Sequence, residues 1–310
     1  MTNTSSTRAV SLGTLESLGG GFHAYIQPEG GWGLNNAGVF AGQRETVLID
    51  TCFTERRGRH LRDAVTSLSD RPVNTIINTH HHGDHTYGNY LFPEATIIAH
   101  HACRDRMLST GLDTCSLFPG VDWGELEISE PTVTFADEIT LHLDESTAVV
   151  RHTGRAAHTA EDLYVWIPDR GLLYTGDLVF NCGTPFVLMG SVPGLISTLN
   201  ELAALDAEVV VPGHGAIDDS GLIQPQIDYL ELVWEAARDG FQAGRTPLET
   251  ARRTDLGPYA AWLDAERLPA NIHRAYSELR GEEPAIVLEM APIVADMVAF
   301  NNDEPLHSLA

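Results

Sequence analysis

The chain has 310 residues, 43% of them hydrophobic and 20% charged, enough to bury one large core with an appendage or two domains. Its formal charge of −24 argues against nucleic-acid and anionic-membrane partners, since both need a basic face. All 19 basic side chains are arginine, which excludes Schiff-base and lysine-nucleophile chemistry.

Residues 1–10 are polar and carry no apolar h-region, and no apolar run approaches the roughly 20 residues that span a bilayer. A cytoplasmic address is the expectation. Cys52, Cys103, Cys115 and Cys182 are scattered without a CxxC pair, so free thiols are expected. Residues 22–27 alternate weakly, and 37–40 and 46–50 read as buried strands. The Gly-rich link 28–33 carries Trp32 and reads either as an active-site lid or as an ordinary hairpin connection. Residues 54–68 have helical spacing with Leu61, Ala64 and Leu68 on one face, and Arg71-Pro72 stops that helix. The apolar run 73–77 is the next strand, followed at once by Asn78-Thr79-His80-His81-His82-Gly83-Asp84-His85-Thr86.

A strand at 95–99 ends at His100 and His101, read as structural, and a short helix covers 102–108. Residues 111–131 have no clear period and read as a loop insertion whose Phe118 and Trp123 can line a pocket. Strands are predicted at 139–143, 148–152, 163–167, 172–175 and 208–211, with an amphipathic helix at 192–205. This order suits two mixed sheets packed face to face with helices outside. After residue 220 the pattern turns helical. The stretch 223–241 carries the stripe Ile227, Leu230, Val233, Trp234 and Ala237, and 258–268 and 271–280 follow. The expected division is a catalytic domain at 1–220 and a helical C-terminal extension at 221–310, with an adherent or loose tail past 282.

The histidine stretch carries the chemistry. Side chains two apart on extended chain point the same way, so His80 and His82 can grip one metal ion while His81 faces elsewhere. Once the chain turns at Gly83, Asp84 and His85 can reach a second ion. Imidazole with carboxylate suits zinc, with iron the next choice. Three more donors end predicted strands: His158 in Gly154-Arg155-Ala156-Ala157-His158-Thr159, Asp177 in Tyr174-Thr175-Gly176-Asp177, and His214 in Val211-Pro212-Gly213-His214-Gly215.

Together, in this order, these residues resemble the metallo-β-lactamase superfamily, whose pattern His-x-His-x-Asp-His, His, Asp, His falls on His80, His82, Asp84, His85, His158, Asp177 and His214. The resemblance covers about residues 20–218. It implies an α/β fold, a four-layer αββα sandwich, here with a C-terminal helical extension. It also implies two zinc ions, with iron or manganese as alternatives. His80, His82 and His158 would hold the first and Asp84, His85 and His214 the second, with Asp177 and a hydroxide bridging them. Asp84 would be the catalytic carboxylate, orienting the nucleophile and passing its proton to the leaving group. Asp50 ends an earlier strand and can support a histidine from behind.

Departures from the family pattern narrow the expectation. True metallo-β-lactamases usually carry Cys or Ser where this chain has Asp177, which puts β-lactam hydrolysis in doubt. Glyoxalase II and the homoserine-lactone hydrolases share the bridging Asp. Glyoxalase II, however, holds glutathione partly through basic residues, lysine among them, and this chain has no lysine. Members resembling AHL lactonase have a tyrosine three residues after the bridging Asp, where this chain has Phe180. The expected function is hydrolysis of an ester, thioester or lactone of a small, partly apolar molecule. The alternative is an iron-dependent oxidoreductase resembling persulfide dioxygenase, or a non-hydrolytic lyase or cyclase using the same site. Trp32, Phe180, Phe186 and Met189 are the expected substrate contacts, although Phe186 and Met189 suit core packing equally. Oligomeric state, including a homo-oligomer, stays open.

Overall fold

The computed structural model describes residues 11–28 and 30–310, so the polar stretch 1–10 and Glu29 of the Gly-rich link lie outside the described residues. Strands β1 (Thr14–Gly19), β2 (Phe22–Ile26), β3 (Ala37–Ala41) and β4 (Thr46–Ile49) form an antiparallel meander. Helix α1 (Glu55–Thr66) then carries the chain across the sheet to β5 (Thr75–Ile77), which pairs parallel to β4. The Thr54 side chain caps α1 by accepting from the Arg57 N–H. The short turn α2 (Gly83–Thr86) precedes β6 (Thr96–His100), and α3 (His101–Thr110) precedes β7 (Val133–Phe135), completing a seven-stranded mixed sheet. The second sheet holds β8 (Glu138–Leu143), β9 (Ser146–His152), β10 (Leu163–Ile167) and β11 (Leu172–Tyr174) in antiparallel order. Its last strand is β12 (Val209–Val211), parallel to β11 after the crossover helix α4 (Val192–Ala203).

Alternation explains why the sheets stack. Phe22, Phe40, Val47 and Ile49 point inward to meet Val150, Leu163, Val165 and Tyr174 of the second sheet. Their neighbours Tyr25, Val39 and Leu48 point outward, beneath Leu61 and Val65 of α1. On the far side α4 lays Leu195, Leu199 and Leu202 over Leu173 and Val210. The result is the αββα sandwich. Helices α5 (Ile223–Gln242), α6 (Pro247–Arg253) and α7 (Arg267–Leu279) follow, and α5 and α7 share one apolar cluster with α4.

Several stretches differ from the sequence reading. The predicted helix at 258–268 is instead a 3-10 turn, Gly257–Ala261, then a bend, a bridge at Leu263 and a turn that leads into α7 at Arg267. There the Leu263 N–H donates to the Cys182 carbonyl and the Thr184 N–H to the Leu263 carbonyl, so pairing with a distant loop overrides local propensity. The tail past 282 carries α8 (Met290–Phe300), whose Ile293 and Met297 are buried. The 111–131 insertion buries Phe118 and sets Trp123 edge-on to Phe53, centroids 4.6 Å apart. All four thiols are free; Cys52 and Cys103 are buried and Cys182 is exposed. Among the described residues no helix is long and apolar enough to cross a membrane.

Candidate metal centre

Every donor of the predicted set sits where a strand of the sandwich runs out. His80 to His82 continue past β5, and α2 turns Asp84 and His85 back beside them. His158 lies in the β9–β10 connection, Asp177 in the 3-10 turn Gly176–Leu178 after β11, and His214 just after β12. The close fit of these loops is severe. A Cβ on Gly213 would stand 2.1 Å from Asp177 Oδ1, so only glycine lets the His214 loop approach the carboxylate.

The seven side chains gather into two groups. His80, His82, His158 and Asp177 form one; Asp84, His85, Asp177 and His214 form the other, with ligand atoms in each within 4.8 Å of one another. Asp177 belongs to both, and its two oxygens divide the work. Oδ2 lies 3.5 Å from His158 Nε2 and 3.9 Å from His80 Nε2, whereas Oδ1 lies 2.9 Å from His85 Nε2 and 3.4 Å from His214 Nε2. Asp84 Oδ2 is 3.3 Å from His214 Nε2, and His82 Nδ1 is 2.9 Å from His158 Nε2.

These donors fit divalent cations. His80 Nε2, His85 Nε2 and Asp177 Oδ1 are buried without a hydrogen-bond partner, although the last two are only 2.9 Å apart. Orphaned buried polar atoms each cost about 1–3 kcal/mol; a cation in the first group would satisfy His80 Nε2, and one in the second would satisfy both His85 Nε2 and Asp177 Oδ1. Donors bonded to one tetrahedral zinc at ~2.0–2.1 Å stand about 3.3–3.4 Å apart. The 3.3 to 3.5 Å separations of the His214, Asp84, Asp177 and His158 atoms are of that size.

The model of the Metallo-beta-lactamase superfamily matches residues 30–214. The chain belongs to the metallo-β-lactamase superfamily. Over 139 residues it is 30% identical to the hydroxyacylglutathione hydrolase of Rhodospirillum rubrum, covering 45% of this chain and 46% of that one. The match therefore spans less than half of that enzyme. Against the hydroxyacylglutathione hydrolase of Brucella ovis it is 25% identical over 240 residues, 74% of this chain and 84% of the relative. Among solved structures, the metallo-β-lactamase from Pontibacter korlensis superposes with a TM-score of 0.59 at 19% identity, covering 71% of this chain and 99% of that one. DIM-1 metallo-β-lactamase gives 0.58 at 19%, with 72% and 98% covered. Both share the fold.

In this superfamily member the imidazoles are held from behind. His85 Nδ1 lies 2.8 Å from Asp50 Oδ2, His80 Nδ1 lies 3.0 Å from Thr79 Oγ1, and His158 Nδ1 faces the Phe186 carbonyl. Each contact places a proton on Nδ1 and turns Nε2 to the site. His82 presents Nδ1 instead, its Nε2 lying 3.3 Å from Met189 Sδ. His214 lacks a partner at Nδ1 and is steadied by Phe180, stacked at 5.2 Å and 7°. Asp50 adopts a left-handed φ of 62°, locked by hydrogen bonds from the Thr79 N–H and hydroxyl at 2.7 Å each. His81 points away: its Nδ1 meets Glu161 Oε1, and both side chains are buried.

The electrostatics divide the two groups. Burial, reinforced by neighbouring imidazoles, holds His80 and His82 well below the usual histidine range, and burial takes His158 down to about 4. These three are neutral, the form that ligates. In the second group burial opposes charge, but Asp177 and Asp84 outweigh it, raising His85 strongly and His214 to about 9. Burial likewise works against an ionised Asp177, yet His85 and His214 hold it well below the carboxylate range. Metal uptake at this group must displace protons.

A pocket opens onto the donors. Trp32, Phe180, Phe186 and Met189 all line it, together with His82, Asp84, His158, Asp177 and His214. Trp32 rides on the link between the antiparallel strands β2 and β3, and it lines the pocket. Phe180 and Phe186 also pack as core. The sequence reading missed Arg267 at the start of α7, and Met290, Val294, Met297 and Leu306 from the C-terminal region, all of which line the pocket. Nothing in their local sequence marks them. Trp123, expected at the pocket, instead backs Phe53.

Proposed function

We propose that this chain is a dinuclear metal-dependent hydrolase that cleaves an ester, thioester or lactone of a small, partly apolar organic molecule. One observation carries the reading: Asp177 divides its two carboxylate oxygens between two donor groups on the floor of a largely apolar pocket. Likeness to hydroxyacylglutathione hydrolases at 25% to 30% identity supports it. His80, His82 and His158 would hold one ion, Asp84, His85 and His214 the other, and Asp177 both. Two bound cations would polarise the substrate carbonyl and bring water's ionisation toward neutral pH.

The side chains do the rest. Asp177 fixes the spacing of the two groups, because one rigid carboxylate reaches both. Asp84 lines the pocket and accepts the proton of the attacking water, then returns it to the departing oxygen or sulfur. The bond cleaved is acyl–O or acyl–S; water supplies hydroxyl to the acyl carbon and a proton to the leaving group. Trp32 and Phe186, edge to face at 5.1 Å, give the pocket an apolar wall for the substrate.

The test is metal content by mass spectrometry on protein purified without chelator, then assay of p-nitrophenyl esters, thioesters, lactones and a chromogenic cephalosporin. Two ions per chain and turnover of a carbonyl ester or thioester are expected. Asp177→Asn should fall to about one ion and lose turnover even in excess zinc. A fully loaded protein inert across the panel that consumes oxygen with a persulfide would replace hydrolysis with oxidation.

A further inference from the structure

The pocket's composition says what kind of substituent it takes. Its wall comes from distant parts of the chain, namely Trp32, Phe118, Phe186, Val294, Met297 and Leu306. Apart from the five donors that face it, its polar lining is Thr114 and Arg267 alone among the described residues. Arg267 is the one cation there outside the donor groups, and its charge is already engaged. Nη2 lies 2.8 Å from Asp264 Oδ2, Nη1 donates to the Thr184 carbonyl at 2.8 Å, and Cζ sits 4.0 Å from the Trp32 ring centroid and 5.3 Å from that of Phe180. Nε is buried without a hydrogen-bond partner. An anionic substituent would therefore meet an ion pair instead of a free cation, inside a protein of formal charge −24.

Methionine points the same way. Of the five methionines in the chain, Met189, Met290 and Met297 line this one pocket. Unbranched thioethers mould to varied apolar shapes, which suits a pliable hydrophobic binding surface.

Resting on the hydrolase reading above, we infer that the pocket receives an uncharged hydrophobic group of the substrate, a medium-length acyl chain or an aromatic ring, and rejects glutathione conjugates. Glutathione carries two carboxylates and an ammonium, and each would need a partner that this wall does not offer. An apolar chain gains roughly three- to four-fold per buried methylene until it reaches the far wall.

The experiment uses the metal-loaded full chain and two readouts. The first is kcat/KM for N-acetylcysteamine thioesters from acetyl to decanoyl and benzoyl, with glutaryl matched against pentanoyl, alongside S-lactoylglutathione. The second is calorimetric binding of the corresponding free acids, which needs no turnover. A rise of at least 30-fold from acetyl to octanoyl is expected, with glutaryl at least ten-fold below pentanoyl and the glutathione thioester near the acetyl level. Val294→Phe, or Met290→Phe should the first not fold, should lower the octanoyl-to-acetyl ratio at least ten-fold by filling the cavity. A flat acyl series, or preference for glutaryl or glutathione substrates, overturns the inference while leaving the hydrolase standing. Chain-length-dependent binding of acids without any turnover keeps the inference and removes the hydrolase.

Discussion

Asp50→Asn tests whether the site is built from behind as its hydrogen bonds indicate. Asp50 Oδ1 accepts from the Thr79 N–H at 2.7 Å, while Oδ2 accepts from the Thr79 hydroxyl at 2.7 Å and faces His85 Nδ1 at 2.8 Å. A carboxylate can accept all three protons; an amide cannot. If the amide oxygen keeps the Thr79 N–H, the NH2 confronts a hydroxyl and the His85 Nδ1 proton. His85 then moves its proton to Nε2, the atom 2.9 Å from Asp177 Oδ1 that would otherwise ligate. Loss of a buried charge-assisted bond costs about 1.5–3 kcal/mol of stability in the metal-free protein. Losing the support behind a ligating histidine weakens metal binding by roughly 10–100-fold, or about 1.4–2.8 kcal/mol. The two routes agree in size. Chelator-competition titration with zinc should show one weakened ion, and urea unfolding in EDTA should show the lower midpoint. Asp50→Gly relieves the left-handed φ of 62° without restoring the acceptor, so it should bind the ion no better. Wild-type affinity for both ions in Asp50→Asn would refute the argument.

Two further expectations follow from particular residues. His81→Ala should keep both ions but lose about 3–5 kcal/mol of stability, because it strands the buried Glu161 carboxylate, while His82→Ala should lose an ion at smaller folding cost; urea titrations with parallel metal analysis separate them, and the reverse pattern would mean the register is misread. His100, held down at about 4 by burial and by His152 and His101 nearby, stays neutral when folded but protonates near 6.5 when unfolded. The unfolded chain thus binds more protons between those values, and stability should fall by on the order of 1–2 kcal/mol as pH drops from about 6.5 to 4. In His100→Asn, whose amide oxygen can take over acceptance from the Ala102 N–H, part of that pH dependence should vanish.

Much of the fold was legible because its signals are local. The β-branched runs of β4 and β5 are buried on both faces and read as strands without any partner being known. Alternation separated His80 and His82 from His81, and in the structure the first two share a donor group while His81 meets Glu161. Strands β1 and β7 were missed because neither carries a buried face: β1 is largely exposed and β7 has three residues at the sheet edge. The failed helix at 258–268 shows the same limit from the other side. Its backbone partners are Cys182 and Thr184, some eighty positions away, and no window of local propensity contains them.

The donor set and the pocket wall differ in legibility for a chemical reason. A metal centre demands imidazole and carboxylate, which otherwise seldom cluster at strand ends, so each occurrence stands out against an apolar background. A hydrophobic pocket is made of Leu, Val, Met and Phe, the same residues that fill a core. Phe180 makes the ambiguity concrete: it is buried, it steadies His214 by stacking, and it still lines the pocket. Whether such a ring is core or binding surface depends on whether space is left beside it. That is decided by α8, by Leu306 and by Trp32 arriving from separate parts of the chain. A substitution that fills this space should therefore alter which substrates are accepted more than how stably the protein folds.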